Sequence, residues 1–239
     1  MSAASALLVE IHGLVKDYQS LRPLRVRALA VAAGDVVAVS GVDAEAAEVF
    51  VHLVTGATLP DTGDVRLFGQ DTRTIPDGDA WLTSLEGLGM VSARAVLIAG
   101  FTALQNIAMP FTLTVDPVDP RVLPQVAALA SEVGLDPSTL ALPVGKLSAD
   151  AQMRTHLARA LALAPRLIIA EHPSATLPRE SVARFGEDFG RVARDRAIAI
   201  VALTADDVFA RALGGQRLHL DGKTGVLKAP GLLQRFMGS

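Results

Sequence analysis

The chain contains no cysteine, which excludes disulfides, thiolate-bound metals and a cysteine nucleophile. Its longest apolar runs fall far short of the roughly 20 residues that a membrane span needs. The first ten residues lack the basic start and long apolar core of a signal peptide, so we expect a soluble cytoplasmic protein. The 22 basic residues do not outnumber the 25 acidic ones, so the charge balance does not indicate nucleic acid or an anionic membrane as a partner.

The histidines give no indication of a metal site. No two of the five have helical metal-ligand spacing: His12, His52, His156, His172 and His219. What the chain does contain is typical of a folded protein, because half of its 239 residues are hydrophobic and only 20% are charged. This length accommodates one domain, or one core with a subdomain.

Short apolar runs alternate with helical stretches along the chain. Residues 36–40, 167–170 and 197–204 are continuously apolar and are interpreted as buried strands, whereas residues 44–55 and 179–195 are interpreted as helices. Buried strands that alternate with helices predict an α/β fold with parallel strands. The other predicted elements are strands at 7–11 and 89–92, a short strand between two turns within 61–69, helices at 120–133, 149–164 and 206–214, and a hairpin at 217–227.

The strand at 36–40 runs into Gly41 and is followed by a helix, which is the setting of a phosphate-binding loop. Such a loop has the pattern Gly-x-x-x-x-Gly-Lys-Ser/Thr, in which backbone N–H groups surround the phosphates, lysine supplies charge and the hydroxyl holds Mg²⁺. Gly41 matches the first glycine. The second glycine is replaced by Ala46, the lysine by Ala47 and the hydroxyl residue by Glu48.

From about residue 7 to residue 227, the chain resembles an ATP-binding subunit of ABC transporters. The matching segments are 14–18, 53–56 (LVTG), 60–63 (PDTG), 67–69 (LFG), 104–110 (LQNIAMP), 147–161, 165–174 and 201–204. The resemblance implies a P-loop NTPase-like α/β core with an antiparallel β element and an inserted helical subdomain. We expect residues 1–92 and 147–239 to form the core and residues 93–146 the subdomain.

The chain departs from this family at its catalytic positions. The family's Q-loop glutamine, Walker B aspartate, catalytic glutamate, D-loop aspartate and switch histidine fall on Ala93, Glu171, His172, Pro178 and Ala205. The signature, which reads LSGGQ in the family, is LSADA at residues 147–151. Of the nucleotide contacts, Tyr18 at the adenine-stacking position, Gly41 and Ser148 remain.

The phosphate loop has also become acidic. Asp43, Glu45 and Glu48 place three carboxylates within six residues that contain no lysine or arginine. Like charges 4 Å apart repel by roughly 4 kcal/mol at an effective dielectric constant of 20. A helix N-terminus offsets only about 0.3–1 kcal/mol. We therefore expect these residues to cap the helix and exclude a triphosphate, so that neither ATP nor Mg²⁺ is favoured as a cofactor.

A second group of residues fits the part of the family pattern that receives the membrane subunit. Its members are Leu97, Ile98, Phe101, Leu104, Asn106 and Pro110. They predict docking on a partner, although core packing of a helical subdomain explains the same pattern.

Together these features predict a catalytically inactive cassette, not an enzyme. It would be a scaffold or regulatory component of an ABC-type membrane transporter. It would lie on the inner face of the membrane through a permease, pair with another cassette subunit, and form a homo- or heterodimer. The alternatives are a regulatory subunit that binds ATP weakly through Tyr18 and Gly41, an active ATPase with His172 as base, and a freestanding protein-interaction module.

Overall fold

The computed structural model describes residues 6–92 and 95–229. The strands in these residues are β1 (Leu7–Lys16), β2 (Leu24–Ala32), β3 (Val36–Ser40), β4 (Thr62–Leu67), β5 (Gln70–Asp71), β6 (Leu88–Val91), β7 (Leu167–Glu171), β8 (Ala199–Thr204), β9 (Gln216–Asp221) and β10 (Val226–Lys228). The helices are α1 (Ala44–Thr55), α2 (Gly78–Ser84), α3 (Ala103–Ala108), α4 (Leu123–Glu132), α5 (Ala149–Leu161), α6 (Arg179–Asp195) and α7 (Asp207–Leu213). Three short 3-10 helices lie at Thr72–Thr74, Pro137–Thr139 and Val144–Lys146.

All ten strands form one mixed sheet in the order β5-β4-β1-β2-β10-β9-β3-β8-β7-β6. Strands β9, β3, β8, β7 and β6 are parallel to one another, so their carboxyl ends meet at one edge. Strands β1, β2, β4 and β5 form the antiparallel part of the sheet. The predicted mixed α/β fold is therefore confirmed.

The central strands are buried because both faces of the sheet are covered. Along β7, Ile168 and Ala170 contribute to one hydrophobic cluster with α5, α6 and α7, whereas Leu167 and Ile169 contribute to the other with α1 and the antiparallel strands. Successive side chains of a strand point to opposite faces. This is why β7 and β8 read in the sequence as continuous apolar runs rather than alternating ones.

The predicted elements are present, and four observed ones were not predicted. The predicted bounds of β3, α1 and α6 are those observed, and the C-terminal hairpin is β9 with β10. The predicted helix at 120–133 begins later, at Leu123. The elements without a prediction are β2, β5, α2 and α3. The two helices, of seven and six residues, are too short for a helical repeat to be recognised.

Helices α3 and α4 lie in the segment predicted as a separate subdomain. Their buried residues, such as Ile107, Val126 and Leu129, belong to the same cluster as Phe185 of α6 and Ile200 of β8. Both helices also pack on α5, which follows the predicted boundary. The subdomain boundaries remain a prediction.

Among residues 6–92 and 95–229, no helix combines the length and the hydrophobicity that crossing a membrane requires. No group of three or more histidine or acidic side chains in the same residues is arranged to hold a metal ion.

Candidate nucleotide site and docking groove

The turn between β3 and α1 contains only residues 41–43, because α1 begins at Ala44. Gly41 has φ +74°, and a Cβ added there would lie 2.7 Å from the carbonyl oxygen of Leu220 and 2.5 Å from Cε1 of His219. Only glycine fits this position. The pattern of a phosphate loop places its second glycine at position 46, which here lies inside the helix. The segment is thus a short, tightly packed turn.

Asp43 is the N-cap of α1. Its Oδ1 accepts the N–H of Ala46 at 2.8 Å, and its backbone carbonyl accepts the N–H of Ala47 at 3.0 Å. The N–H groups of a helix's first turn have no intrahelical partner and can bind anions. The side chain of Asp43 already occupies that of Ala46, whereas the N–H of Ala47 makes the first regular hydrogen bond of the helix. The predicted capping role of Asp43 is confirmed.

Three side chains on either side of the cap face the core. Val42, Ala46 and Ala47 are buried in the hydrophobic cluster that α1 forms with the antiparallel strands, and Ala47 has no exposed surface. A lysine at position 47 would have to enter this apolar cluster. Glu48 remains exposed, and its Oε1 lies 3.9 Å from Nε2 of His52, one helical turn later.

Tyr18 lies next to the acidic turn. Its ring packs against the cluster that contains Val42, and burial raises the pKa of its hydroxyl. The negative charges of Asp43 and Glu45 raise this pKa further, while a hydrogen bond with Ser20 lowers it in part. The structure thus brings Tyr18, Gly41, Ala46, Ala47 and Glu48 to one end of β3.

Glu171, at the predicted Walker B position, ends β7 and is 8% exposed. Its Oε2 accepts the hydroxyl of Ser92 at 2.9 Å. Ser92 follows β6, the neighbouring parallel strand, and is itself buried. Ala93, at the predicted Q-loop position, lies outside the described residues.

His172 and Ala205, at the predicted catalytic and switch positions, line one open cleft of about 510 Å³. His172 has φ +45°, and its N–H donates to the carbonyl of Leu203 at 2.8 Å. Its Nε2 is buried without a hydrogen-bond partner among the described residues. Arg179 and Asp206, which also line the cleft, form an ion pair with 2.9 Å between Nη1 and Oδ2.

The signature segment begins α5, and its polar groups are used within the chain. Ser148 is the N-cap and accepts the N–H of Ala151 at 3.2 Å. The Oδ2 of Asp150 accepts a hydrogen bond from Nε of Arg154 at 2.7 Å.

Arg154 is 5% exposed and joins three helical segments. It lies 2.9 Å from Asp188 of α6, donates to the carbonyl of Val133 at 2.5 Å and lies 5.8 Å from the centre of the Phe185 ring. Burial opposes its charge, but hydrogen bonds to Asp150 and Asp188 outweigh this effect and raise the pKa of the guanidinium. Arg154 therefore fastens α5 to the core of the fold.

Two of the predicted docking residues are buried, as the alternative of core packing requires. Asn106 is 0% exposed, and its amide is bonded to both the N–H and the carbonyl of Ile98, at 2.8 and 3.1 Å. It ties the loop at Ile98 to α3. Leu97 is buried in a small cluster with Ala103. Ile98, Phe101, Leu104 and Pro110 retain some exposed surface.

Pro110 lines an apolar groove of about 450 Å³ between α2, β6 and the end of α5, which we call the α2–α5 groove. The other groove residues are Leu82, Leu85, Glu86, Gly87, Leu88, Gly89, Met90, Ala95, Arg159, Ala160, Leu163 and Pro165. Leu82 and Leu163 are 61% and 71% exposed. Such leucines at a groove are typical of a binding surface.

Three features near the site had no counterpart in the sequence-based predictions: the contact of Ser92, the contact of His219 and the α2–α5 groove. Ser92 lies 79 residues from Glu171, and the hydroxyl of Ser40 lies 3.1 Å from Nδ1 of His219, 179 residues away. The strand pairing creates both contacts, and local patterning carries no signal for them. Leu82 and Leu163 are unremarkable in sequence until the fold places them at the same groove.

No known protein-family model matches the chain. It is 31% identical over 222 residues to the lipoprotein-releasing system ATP-binding protein LolD of Geobacter metallireducens, covering 90% of this chain and 97% of that protein. It is 28% identical over 201 residues to the ABC transporter ATP-binding protein YtrE of Bacillus subtilis, covering 84% of each. It is also 30% identical over 199 residues to the Fe(3+) ions import ATP-binding protein FbpC of Serratia marcescens, covering 83% of this chain and 56% of that protein.

Solved structures share the fold. The dimeric ATP-binding cassette MJ0796 bound to ADP and Pi superposes with a TM-score of 0.72 at 19% identity, over 94% of this chain and 100% of that one. The structure of cbiO1 from Clostridium perfringens, part of an ABC transporter complex, superposes with a TM-score of 0.76 at 16% identity, over 98% and 92%.

Proposed function

The chain belongs to the family of ABC transporter ATP-binding subunits, and we propose that it acts in its transporter without hydrolysing ATP. It serves as a scaffold or regulatory cassette that docks on a membrane permease and pairs with another cassette or with a second copy of itself. In this arrangement it lies at the inner face of the membrane through the permease. Fold likeness alone does not decide activity, so the proposal rests on the site.

The closed turn at the start of α1 is the observation that carries the proposal. The side chain of Asp43 occupies the N–H of Ala46, one of the free donors of the first helical turn, and Ala47 is fully buried at the position of the family's lysine. Asp43, Glu45 and Glu48 add negative charge at the same place. Each unit charge opposes a phosphate 4 Å away by roughly 4 kcal/mol at an effective dielectric constant of 20.

The α2–α5 groove supports the second part of the proposal, which is docking on a membrane permease. The α2–α5 groove is mainly apolar and bordered by the exposed Leu82 and Leu163, so a partner helix with an apolar face fits it. This surface does not depend on the lost phosphate chemistry.

Calorimetric titration of the purified chain with ATP, with and without Mg²⁺, tests the inactive nucleotide site. We expect no binding heat up to millimolar ATP. The matched variant combines Asp43→Ser, Ala46→Gly, Ala47→Lys and Glu48→Ser, which removes the carboxylate cap together with the other three obstacles. A variant that keeps Asp43 but carries the other three changes measures the contribution of Asp43.

Micromolar binding by the unchanged chain would overturn the closed-turn argument. It would favour a regulatory subunit that retains ATP, in keeping with the ATP-binding names of the relatives. Binding without hydrolysis and binding with hydrolysis are then separated by phosphate release, and a His172→Ala variant tests whether His172 acts as the base.

The docking half is tested by the distribution of the chain between membrane and soluble fractions of its own cells. We expect Leu163→Asp to release the chain from the membrane fraction. Leu21→Asp is the matched control, because Leu21 is 92% exposed but lies in the turn after β1, which contributes nothing to the groove. Equal release by both variants, or by neither, would count against docking at the groove.

A further inference from the structure

Helix α2 is unusual in this fold because none of its seven residues is buried. Clefts surround it: the α2–α5 groove contacts Leu82, a cleft of about 510 Å³ contacts Ala80 and Thr83, and one of about 500 Å³ contacts Trp81. A helix of this length is marginal in water without tertiary packing. Few buried contacts are the mark of a segment that opens locally.

Two features hold α2 in place. The indole Nε1 of Trp81 donates to the carbonyl of Thr55, the last residue of α1, at 2.8 Å. Leu85, directly after the helix, packs against the cluster below the sheet and leads into β6. The N-terminal end has only a local cap, where Oδ1 of Asp77 accepts the N–H of Ala80 at 2.8 Å. The helix is therefore tethered at its middle and anchored at its C-terminal end.

The opposite wall of the groove is fixed. It is formed by the end of α5, whose Leu157 and Leu161 are 1% exposed and which Arg154 ties to α6. Arg159, which also lines the groove, donates to the backbone carbonyls of Ala95 and Val96. The α5 wall of the groove is thus built into the core, whereas the α2 wall is held by the hydrogen bond of Trp81 and the packing of Leu85.

We propose that α2 is a hinged wall of the α2–α5 groove, which swings about Leu85 when the Trp81–Thr55 hydrogen bond breaks and closes on the occupant through Leu82. The bound partner would bury Leu82 and order the helix. The role of the groove rests on the proposed function, but the hinge itself is a property of the isolated chain.

The hinge can be measured directly because the chain has no cysteine, so two introduced cysteines are the only labelling sites. Spin labels at Leu82→Cys and Leu163→Cys report the distance across the groove by pulsed electron resonance. The control pair is Leu163→Cys with Glu187→Cys, an exposed site on α6. We expect a broad or two-component distribution for the first pair and a narrow one for the control. Equally narrow distributions would overturn the proposal.

Amide hydrogen exchange of the unlabelled chain provides a measurement that needs no variant. We expect residues 78–85 to exchange at least about tenfold faster than α1 and α6. Trp81→Phe keeps an aromatic ring but removes the N–H donor, so it should accelerate exchange at 78–85 at least about threefold without affecting α6. Thr83→Ser, an exposed change on the same helix, is the control. Protection of α2 equal to that of α6, or no effect of Trp81→Phe, would refute the tethered hinge.

These results are independent of the docking test. If α2 proved mobile but Leu163→Asp did not release the chain from the membrane, only the proposed docking would be rejected. If α2 proved rigid but Leu163→Asp released the chain, only the hinge would be rejected.

Discussion

Placing the family's lysine back into the chain by itself should damage the fold rather than restore a nucleotide site. Ala47 is 0% exposed and packs in the cluster that contains Val42 and Phe50. Overfilling such a core costs about 1–3 kcal/mol. Removing an unpaired ammonium group from water adds several kcal/mol more. We expect Ala47→Lys to lower the free energy of unfolding by at least about 3 kcal/mol, a large part of the 5–15 kcal/mol typical of a domain.

Urea unfolding followed by far-ultraviolet circular dichroism measures this loss. Tryptophan fluorescence is less suitable, because the single tryptophan, Trp81, lies on α2 and would report local opening of that helix. Ala44→Lys is the matched control. It adds the same side chain at an exposed position of the same helix, where only the unfavourable helix-dipole effect of about 0.3–1 kcal/mol applies. If Ala47→Lys were as mild as Ala44→Lys, or if it conferred ATP binding by itself, the turn would be open and the reasoning refuted.

Three further predictions concern the cap, the buried arginine and a buried histidine. Asp43→Ala should lower the free energy of unfolding by about 1 kcal/mol, and Asp43→Asn by less than about 0.5 kcal/mol, because asparagine also caps helices. Equal losses for the two variants in urea unfolding would contradict the capping role of Asp43. Arg154→Ala should cost about 3–5 kcal/mol, because it removes the buried guanidinium that bridges Asp150, Asp188 and the carbonyl of Val133. Arg121→Ala, at an exposed ion pair, should cost less than about 1 kcal/mol. Burial and the charge of Arg159 lower the pKa of His156 to about 4. Because the unfolded chain then binds the proton more readily than the folded chain, the free energy of unfolding should fall by up to about 3 kcal/mol as the pH is lowered from 6.5 to 4. His156→Leu should flatten that slope, and an unchanged slope would assign it to other groups.

The mixed α/β architecture could be predicted because its signals are local. Strands β3, β7 and β8 are covered on both faces and therefore appear as unbroken apolar runs, and α6 has a strongly amphipathic repeat. The elements that were missed lack such signals. Helix α2 has no buried residue to create a repeat, and Trp81 connects it to α1 through a side-chain hydrogen bond.

The sequence indicated which residues occupy the motif positions, but not which residues surround them in the fold. The order of residue types along the chain placed Ala47, Glu171 and His172 at positions of known role, since each motif is contiguous. Their partners come from distant segments: Glu171 meets Ser92 from the neighbouring strand, and Asn106 turns inward to Ile98 instead of outward to a partner.

The sequence alone therefore determined the family, the strand–helix alternation and the loss of charge complementarity at the phosphate loop, because these depend on residue type and order. Only the tertiary structure decided that the side chain of Asp43 occupies the N–H of Ala46, that Ala47 has no access to solvent and that Leu82 and Leu163 border one groove. Hydrogen-bond saturation, burial and the meeting of remote surfaces depend on how the chain packs in three dimensions, and local patterning does not record them.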